Sequence, residues 1–446
     1  MEVETKWDEL TPAEKREKRF EHWLEAPGVK FDSPEAKKGY QARVARLIKA
    51  LKREVPDRVP VQLPAGGFPV YYAGANLHQA MYDPELVRRA GLKFVRDFKD
   101  DMDSFQGAGI SSGRHLEIID YKLAAWPGRG LGKNASAYQF VEGENMTADE
   151  YDALIKDPSD WALRTFLPRV VRAFEPLTNL PPLVSLLSMP TGFAAPAAIP
   201  AVRAAFQAMI DAGIEQEKML KANLEIGRAA LMAGLPSLRG ASGMAPFDIL
   251  GDLLRGTREL MMDMFRRPQQ IHRALDKITE LTIERYKTVS RDINTLTVTF
   301  PLHKGDDTFM SDKQFATFYW PTLKEVILGI IKEGLMVNLF AEGSYNNRLK
   351  QVTDLPEGWV NWHFDRTDMA RAKEILGGQC CIIGNVPASL MCTGTPQAVK
   401  DYCRKLLETC GKGGGYILAG GASTSQTNSA NLKAMMAAAK EYGVYH

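Results

Sequence analysis

From Asp57-Arg58 onward the chain alternates short apolar runs with long amphipathic stretches, and no other feature restricts its fold as strongly. That alternation is the pattern of repeated βα units. Strands are predicted near residues 59–63, 104–107, 236–241, 296–303, 336–342, 359–365, 381–385 and 416–420. Eight strands at this spacing favour an α/β fold closed as a (β/α)8 TIM barrel, spanning residues 56–446, over an open sheet. Between the second and third strands, residues 146–206 are too long for one crossover. Thr147 and Glu150 form a capping box there, and a proline-rich apolar stretch follows, so an inserted helical subdomain near the active-site mouth is expected. In front of the barrel, residues 1–55 read as an N-terminal helical arm. Thr11-Pro12-Ala13-Glu14 is a capping box with proline at the first helical position, and Pro27-Gly28 is a stop. Ser33-Pro34-Glu35 opens a second helix with Val44, Leu47, Ile48 and Leu51 on one face. The arm is expected to pack on the barrel or on a second subunit.

Composition narrows the class. With 446 residues, 45% of them hydrophobic and 25% charged, one large domain has ample core. The 56 basic and 54 acidic residues leave a net charge of +2, which suggests neither a nucleic-acid surface nor a polybasic membrane anchor. Five cysteines, an odd number thinly spread, read as reduced thiols and not as a disulfide framework. The start, MEVETKWDELTPAEKREKRF, has no apolar core of a signal peptide. The longest uncharged stretch, residues 176–202, is broken by Pro181, Pro182, Pro190, Pro196 and Pro200 and cannot form one membrane-spanning helix. A soluble, cytoplasmic protein is expected.

In such barrels the chemistry lies at the C-terminal ends of the strands. The fourth strand runs into His303-Lys304-Gly305-Asp306-Asp307, the fifth into Glu342-Gly343, the sixth carries His363 and Asp365, and the seventh ends in Gly384-Asn385. Imidazole and carboxylate at about 2.0–2.2 Å are normal zinc ligands, and three of them plus an open position make a catalytic site. Glu342 closes the apolar run of Met336, Val337, Leu339 and Phe340, where a carboxylate is costly unless paired or metal-bound. For His303 and His363 the competing role is hydrogen-bonded packing. Asp306, Asp307 and Asp365 could equally cap helices or pair with Lys304 and Arg366. His22 and His272 fall on helices, His446 is the last residue, and His78 and His115 lie in connections. Gly109-Ile110-Ser111-Ser112-Gly113 matches G-x-S-x-G but lacks a convincing following helix. Gly413-Gly414-Gly415 precedes the last strand and reads as a tight turn. Cys380-Cys381 reads as inert core.

Several segments resemble the uroporphyrinogen decarboxylase superfamily, on its corrinoid-dependent methyltransferase branch. Ser242-Gly243-Met244-Ala245-Pro246-Phe247, continuing to Leu253-Leu254-Arg255-Gly256, is similar to the SGAPFT…LLEG segment of the decarboxylases, and Gly384-Asn385-Val386-Pro387 to their GN-x-P turn. Pro56-Asp57-Arg58-Val59-Pro60-Val61 also fits. Gly394-Thr395-Pro396 with Val399, and the run from Gly411 to Leu418, resemble the C-terminal pattern of the methyltransferases. The likeness covers roughly residues 40–110 and 215–443. Decarboxylases carry an RQAGRY-type arginine motif that grips substrate carboxylates. Here Leu63-Pro64-Ala65-Gly66-Gly67-Phe68-Pro69-Val70-Tyr71-Tyr72 has no arginine, which argues against a polycarboxylate substrate.

The thiol-methylating relatives bind zinc through H-x-C and a late cysteine; this chain has Phe340, Glu342 and Ala422 at those places. The resemblance to methyltransferases that cleave phenyl methyl ethers implies instead a zinc site of His303, Glu342 and His363. It also implies transfer of a methyl group from an aryl methyl ether, or another small methyl donor, to the Co(I) corrinoid of a partner protein. Nitrogen and oxygen ligands leave zinc electrophilic enough to polarise the ether oxygen. Glu342, Asp365 and Asp306 are the catalytic candidates, with Phe68, Tyr71, Tyr72, Met244, Phe247 and Asn385 around the substrate. The alternatives are transfer from methylcorrinoid to a thiol or pterin, or a metal-free barrel that binds a corrinoid protein. Relatives often dimerise, so a homodimer is possible.

Overall fold

The computed structural model describes residues 7–107, 109–238, 240–422 and 424–445; His446 and the first six residues lie outside them. Among the described residues ten strands occur in chain order: β1 (Val61–Gln62), β2 (Ala124–Pro127), β3 (Gly130–Leu131), β4 (Gln139–Phe140), β5 (Gly240–Ser242), β6 (Thr297–Leu302), β7 (Met336–Ala341), β8 (Val360–Phe364), β9 (Cys381–Ile383) and β10 (Tyr416–Ala419). Seven make one parallel sheet in the order β1-β10-β9-β8-β7-β6-β5, and β2 to β4 form a small separate sheet that the sequence did not announce.

The expected eight-stranded closure is corrected at one place. Residues 104–107, predicted as the second strand, are not a strand, and the ladder is open between β1 and β5. The cause is local. The Asp103 carboxylate accepts the Val61 N–H at 2.8 Å, a donor that a main-chain carbonyl would take in a ladder. Two main-chain bonds still cross the seam, from Asp103 N–H to the Val61 carbonyl and from Phe105 N–H to the Pro236 carbonyl, each 2.8 Å.

Alternation along each strand sends side chains to two different cores. Val298, Phe300 and Leu302 of β6 and Val337, Leu339 and Ala341 of β7 face outward and join the large core under the surrounding helices. Met336, Cys381, Ile383, Ile417 and Ala419 face inward and join Phe20, Trp23, Tyr40, Val44 and Leu47 of the arm. The arm helices Pro12–Glu25 and Pro34–Leu51, capped by Thr11 and Ser33, therefore plug the N-terminal end of the sheet's interior. Arg46 and Arg58 both bind the fully buried Asp103, which ties the arm to β1 and the seam.

The proline-broken stretch resolves into short helical turns, followed by the Pro200–Met232 helix. Leu123, Val170, Val171, Leu177, Leu180 and Val202 give this region a small core of its own. Arg255, 1% exposed, joins it to the main body through Asp263, Glu144 and the Met146 carbonyl. Among the described residues no single helix is long and apolar enough to cross a membrane. A short helix, Gly113–Ile118, does follow the G-x-S-x-G match, and Ser112 caps it. Gly413, Gly414 and Gly415 all have positive φ, and a Cβ on Gly414 would lie 2.4 Å from the Glu54 carbonyl oxygen.

Candidate active site

The ends of β6 and β7 place His303 and Glu342 side by side. Thr299, Pro301 and His303 lie on one face of β6, and Asn338, Phe340 and Glu342 on one face of β7, so the last residue of each series stands at the inner rim. Thr299 pairs with Asn338 and Pro301 with Phe340 in register. His303 Nε2 lies 3.8 Å from Glu342 Oε1, and its Nδ1 is 2.5 Å from Asp252 Oδ2. One imidazole is thus held between two carboxylates, with 34% of its side chain exposed.

Asp252 reaches His303 from Ile249–Leu254, where the helix after β5 widens to i→i+5 hydrogen bonding. Such widened turns recur at functional sites because they re-aim side chains. Asp248, four residues earlier and fully buried, accepts the His303 and Lys304 N–H groups and the Tyr319 hydroxyl, each at 3.0 Å. It fixes the main chain on which His303 stands. Lys304 Nζ lies 3.1 Å from Asp252 Oδ1 and donates to Thr257 Oγ1 at 2.5 Å. Neither Asp248 nor Asp252 was nominated from sequence; an i, i+4 carboxylate pair just after a strand was the available signal.

Electrostatics follow from this arrangement. The hydrogen bond to Asp252 raises the His303 imidazole to about 9, against burial and with help from Asp248 and Glu342. Burial, then the neighbouring Asp252, pushes the Asp248 carboxyl up to about 7. Burial raises Glu342, as do Asp365 and Asp252, while His303 opposes them. The imidazole is therefore positively charged near neutral pH, facing a carboxylate with raised proton affinity.

The other nominated residues are placed as follows. His363 donates from Nε2 to the Gly420 carbonyl at 2.7 Å, its ring centroid is 4.7 Å from that of Phe340, and burial lowers its proton affinity. Asp365 accepts the Gly343 N–H at 3.2 Å and is close enough to Glu342 to repel it. Asp306 is consumed by a turn, accepting from Thr308, Phe309 and Ser344; these bonds outweigh burial and hold it below the usual carboxylate range. Asn385 donates to the carbonyls of Asp365 and Thr367 and so positions the β8 end. Phe247 is fully buried against Tyr319, and Met244 is partly buried beyond β5. Phe68, Tyr71 and Tyr72 border a shallow surface pocket with Gln426 and Thr427, with Lys93 Nζ 3.4 Å from the Tyr72 ring centroid. Away from the site, His78 and His115 bond main-chain carbonyls, His22 meets Asn294, and His272 stacks on Phe318. Burial pushes the Cys380 thiol up to about 12.

The zinc set of His303, Glu342 and His363 is not assembled. His363 turns Nε2 to the Gly420 carbonyl, and only His303 and Glu342 meet; the bond from His303 Nδ1 to Asp252 leaves Nε2 free and facing Glu342. Among the described residues no group of three or more His, Cys, Asp or Glu side chains is placed to hold a metal ion. Below the rim lies a cavity of about 190 Å³, lined by Gln62, Gln106, Thr299, Asn338, Phe340 and His363 together with the main chain from Ala419 to Ala422.

The parallel sheet with its rim of polar strand ends defines an α/β enzyme-like fold of barrel type. Residues 216–442, half of the chain, match the uroporphyrinogen decarboxylase (URO-D) family, and the chain belongs to that family. Its fold is similar to that of a solved methyltransferase from Methanosarcina mazei, at a TM-score of 0.56 and 19% identity, over 90% of this chain and 98% of that one. No curated protein matches significantly.

Proposed function

We propose that this protein is a methyltransferase that moves a methyl group from an aryl methyl ether to the Co(I) corrinoid of a partner protein, with His303 as the acid at the leaving oxygen. The observation that carries this reading is the clamping of His303 between Asp252 and Glu342 at the inner rim of β6 and β7. Membership of the family and the fold shared with a methyltransferase support it. In this reading the leaving group is activated by a proton from His303, whose Nε2 faces Glu342. The C–O bond of the ether breaks and its electron pair goes to oxygen, which takes the proton from His303 Nε2. The acceptor supplies the electron pair of the new Co–CH3 bond and is formally oxidised from Co(I) to Co(III). Asp252 orients the imidazole through Nδ1 and stabilises its charged form. Asn385 and Asp365 fix the neighbouring β8 end.

The test is a single-turnover assay with purified protein, a Co(I) corrinoid and 2-methoxyphenol, followed by the appearance of the methyl–Co(III) spectrum. His303→Gln is expected to slow transfer by about 10²–10⁴-fold, the range for loss of a general acid. Full transfer by that variant, or no methyl–Co(III) with any methyl ether, would overturn the reading.

A further inference from the structure

We infer that the outer face of the Pro200–Met232 helix seats a second copy of this chain, the two helices lying antiparallel across a two-fold axis near residue 219. The inference is independent of the reaction at the rim. The inner face of the helix is already taken. His115 Nδ1 lies 2.9 Å from the Ala212 carbonyl oxygen, and Ile226 comes so near Gly91 that a Cβ there would lie 2.4 Å from it. Ala212, Met219, Ala222 and Ile226 are buried on that side. At about 100° per residue, the opposite side carries Met209, Ile210, Ile214, Leu220 and Leu224 within an arc of about 140°. All five are open to solvent, Leu224 at 71%. A helix apolar on two opposite faces calls for cover on both. The cluster is not scatter: among the described residues, nine of the seventeen exposed large apolar side chains fall from Val184 to Leu224.

The stripe is complementary to itself. Two charged side chains stand in it, Glu217 and Lys221, both exposed and 2.7 Å apart. When two such helices run antiparallel, residues with a common midpoint face each other. Glu217 and Lys221 share the midpoint 219 with Ile214 and Leu224. One register therefore sets Glu217 against Lys221 of a second copy and Ile214 against its Leu224, and the two-fold axis makes each contact twice. Leu220 lies beside the axis, where its two copies meet. The five apolar side chains present on the order of 500 Å². With the stems of the flanking charges this reaches the roughly 600–1,000 Å² that each partner gives to a standard interface. A lipid surface fits less well, since one acid and one base leave no positive excess for anionic headgroups.

The experiment is sedimentation velocity of the full-length protein over about 0.1–100 μM. A reversible shift from 49.5 kDa to twice that mass is expected. Ile214→Glu and Leu224→Glu, at exposed positions, should each weaken the association at least about 100-fold while leaving the urea midpoint unchanged. Glu217→Lys and Lys221→Glu each bring like charges together at both contacts, and either variant alone should associate about 10-fold more weakly. Mixed in equal amounts, the two variants offer opposite charges at both contacts, and pairing should return to within about threefold of the unmodified chain. A monomer at every concentration overturns the inference, and binding to phosphatidylcholine–phosphatidylserine vesicles would then assign the stripe to a lipid surface. A dimer that survives Ile214→Glu, or charge variants that fail to pair when mixed, also overturns it. The unmodified protein and the charge variants keep the test decisive even if Ile214→Glu fails to fold.

Discussion

Asp252 holds His303 through Nδ1 at 2.5 Å, and that bond is the largest cause of the raised imidazole affinity. A raised histidine is protonated below its folded value and loses the proton as pH climbs through it, so acid-assisted transfer should be constant near neutrality and fall above pH about 9. In Asp252→Asn the alkaline limb should move down by about 1–3 pH units, measured as the pH dependence of kcat/KM. An unmoved limb would assign the limb to another group. A second residue-scale prediction concerns Arg255, 1% exposed and bound to Asp263 and Glu144. Arg255→Ala removes one of the two arginines on the buried Asp263 carboxylate, which keeps Arg267 at 2.9 Å and the Tyr151 hydroxyl at 3.0 Å, and should cost about 1–3 kcal/mol in urea denaturation. At this scale the sequence was partly legible. His303 and Glu342 stood out because polar residues ended apolar strands. Asp252 did not, because its role depends on a widened helical turn that brings an ordinary-looking aspartate back over β6. Asp306 was nominated by the same strand-end rule, yet its carboxylate closes a turn; residue type and position cannot distinguish those two uses.

Among elements, the arm helices make the clearest case. Trp23, 2% exposed, belongs with Met336, Cys381 and Ile417 to the core inside the sheet. Trp23→Ala should therefore cost about 3–5 kcal/mol, as a large buried aromatic does. Hydrogen exchange should rise at the amides of β9 and β10 and not only in the arm. The arm's helices were legible from their caps, and the Thr11–Glu14 box is present as written. Strands β6 to β10 were legible too, since each is an apolar run covered on both faces. Residues 104–107 were misjudged for a specific reason. Ser104 and Phe105 look like strand, but the Asp103 side chain captures the Val61 N–H and interrupts the ladder. The small sheet of β2 to β4 escaped notice because its strands span two to four residues, too few to show a period.

For the whole molecule, Asp103 is the tie between arm, first strand and seam: fully buried, it receives Arg46, Arg58 and the Val61 N–H. Asp103→Asn keeps the shape but takes the carboxylate from Arg58 and leaves Arg46 with Asp57 alone. It should lower global stability by about 3–5 kcal/mol, read as a lower urea midpoint with an unchanged slope. A lower slope instead would mean that the arm and sheet no longer unfold together. The plug formed by the arm has a temporal consequence as well. Trp23 leaves the ribosome long before Ala419, the last of the interior residues it joins. At ~5–20 residues per second the wait is roughly 20–80 s. Until then the apolar faces of the two arm helices lack the strand residues they cover, so a segment made early is among the last to lock.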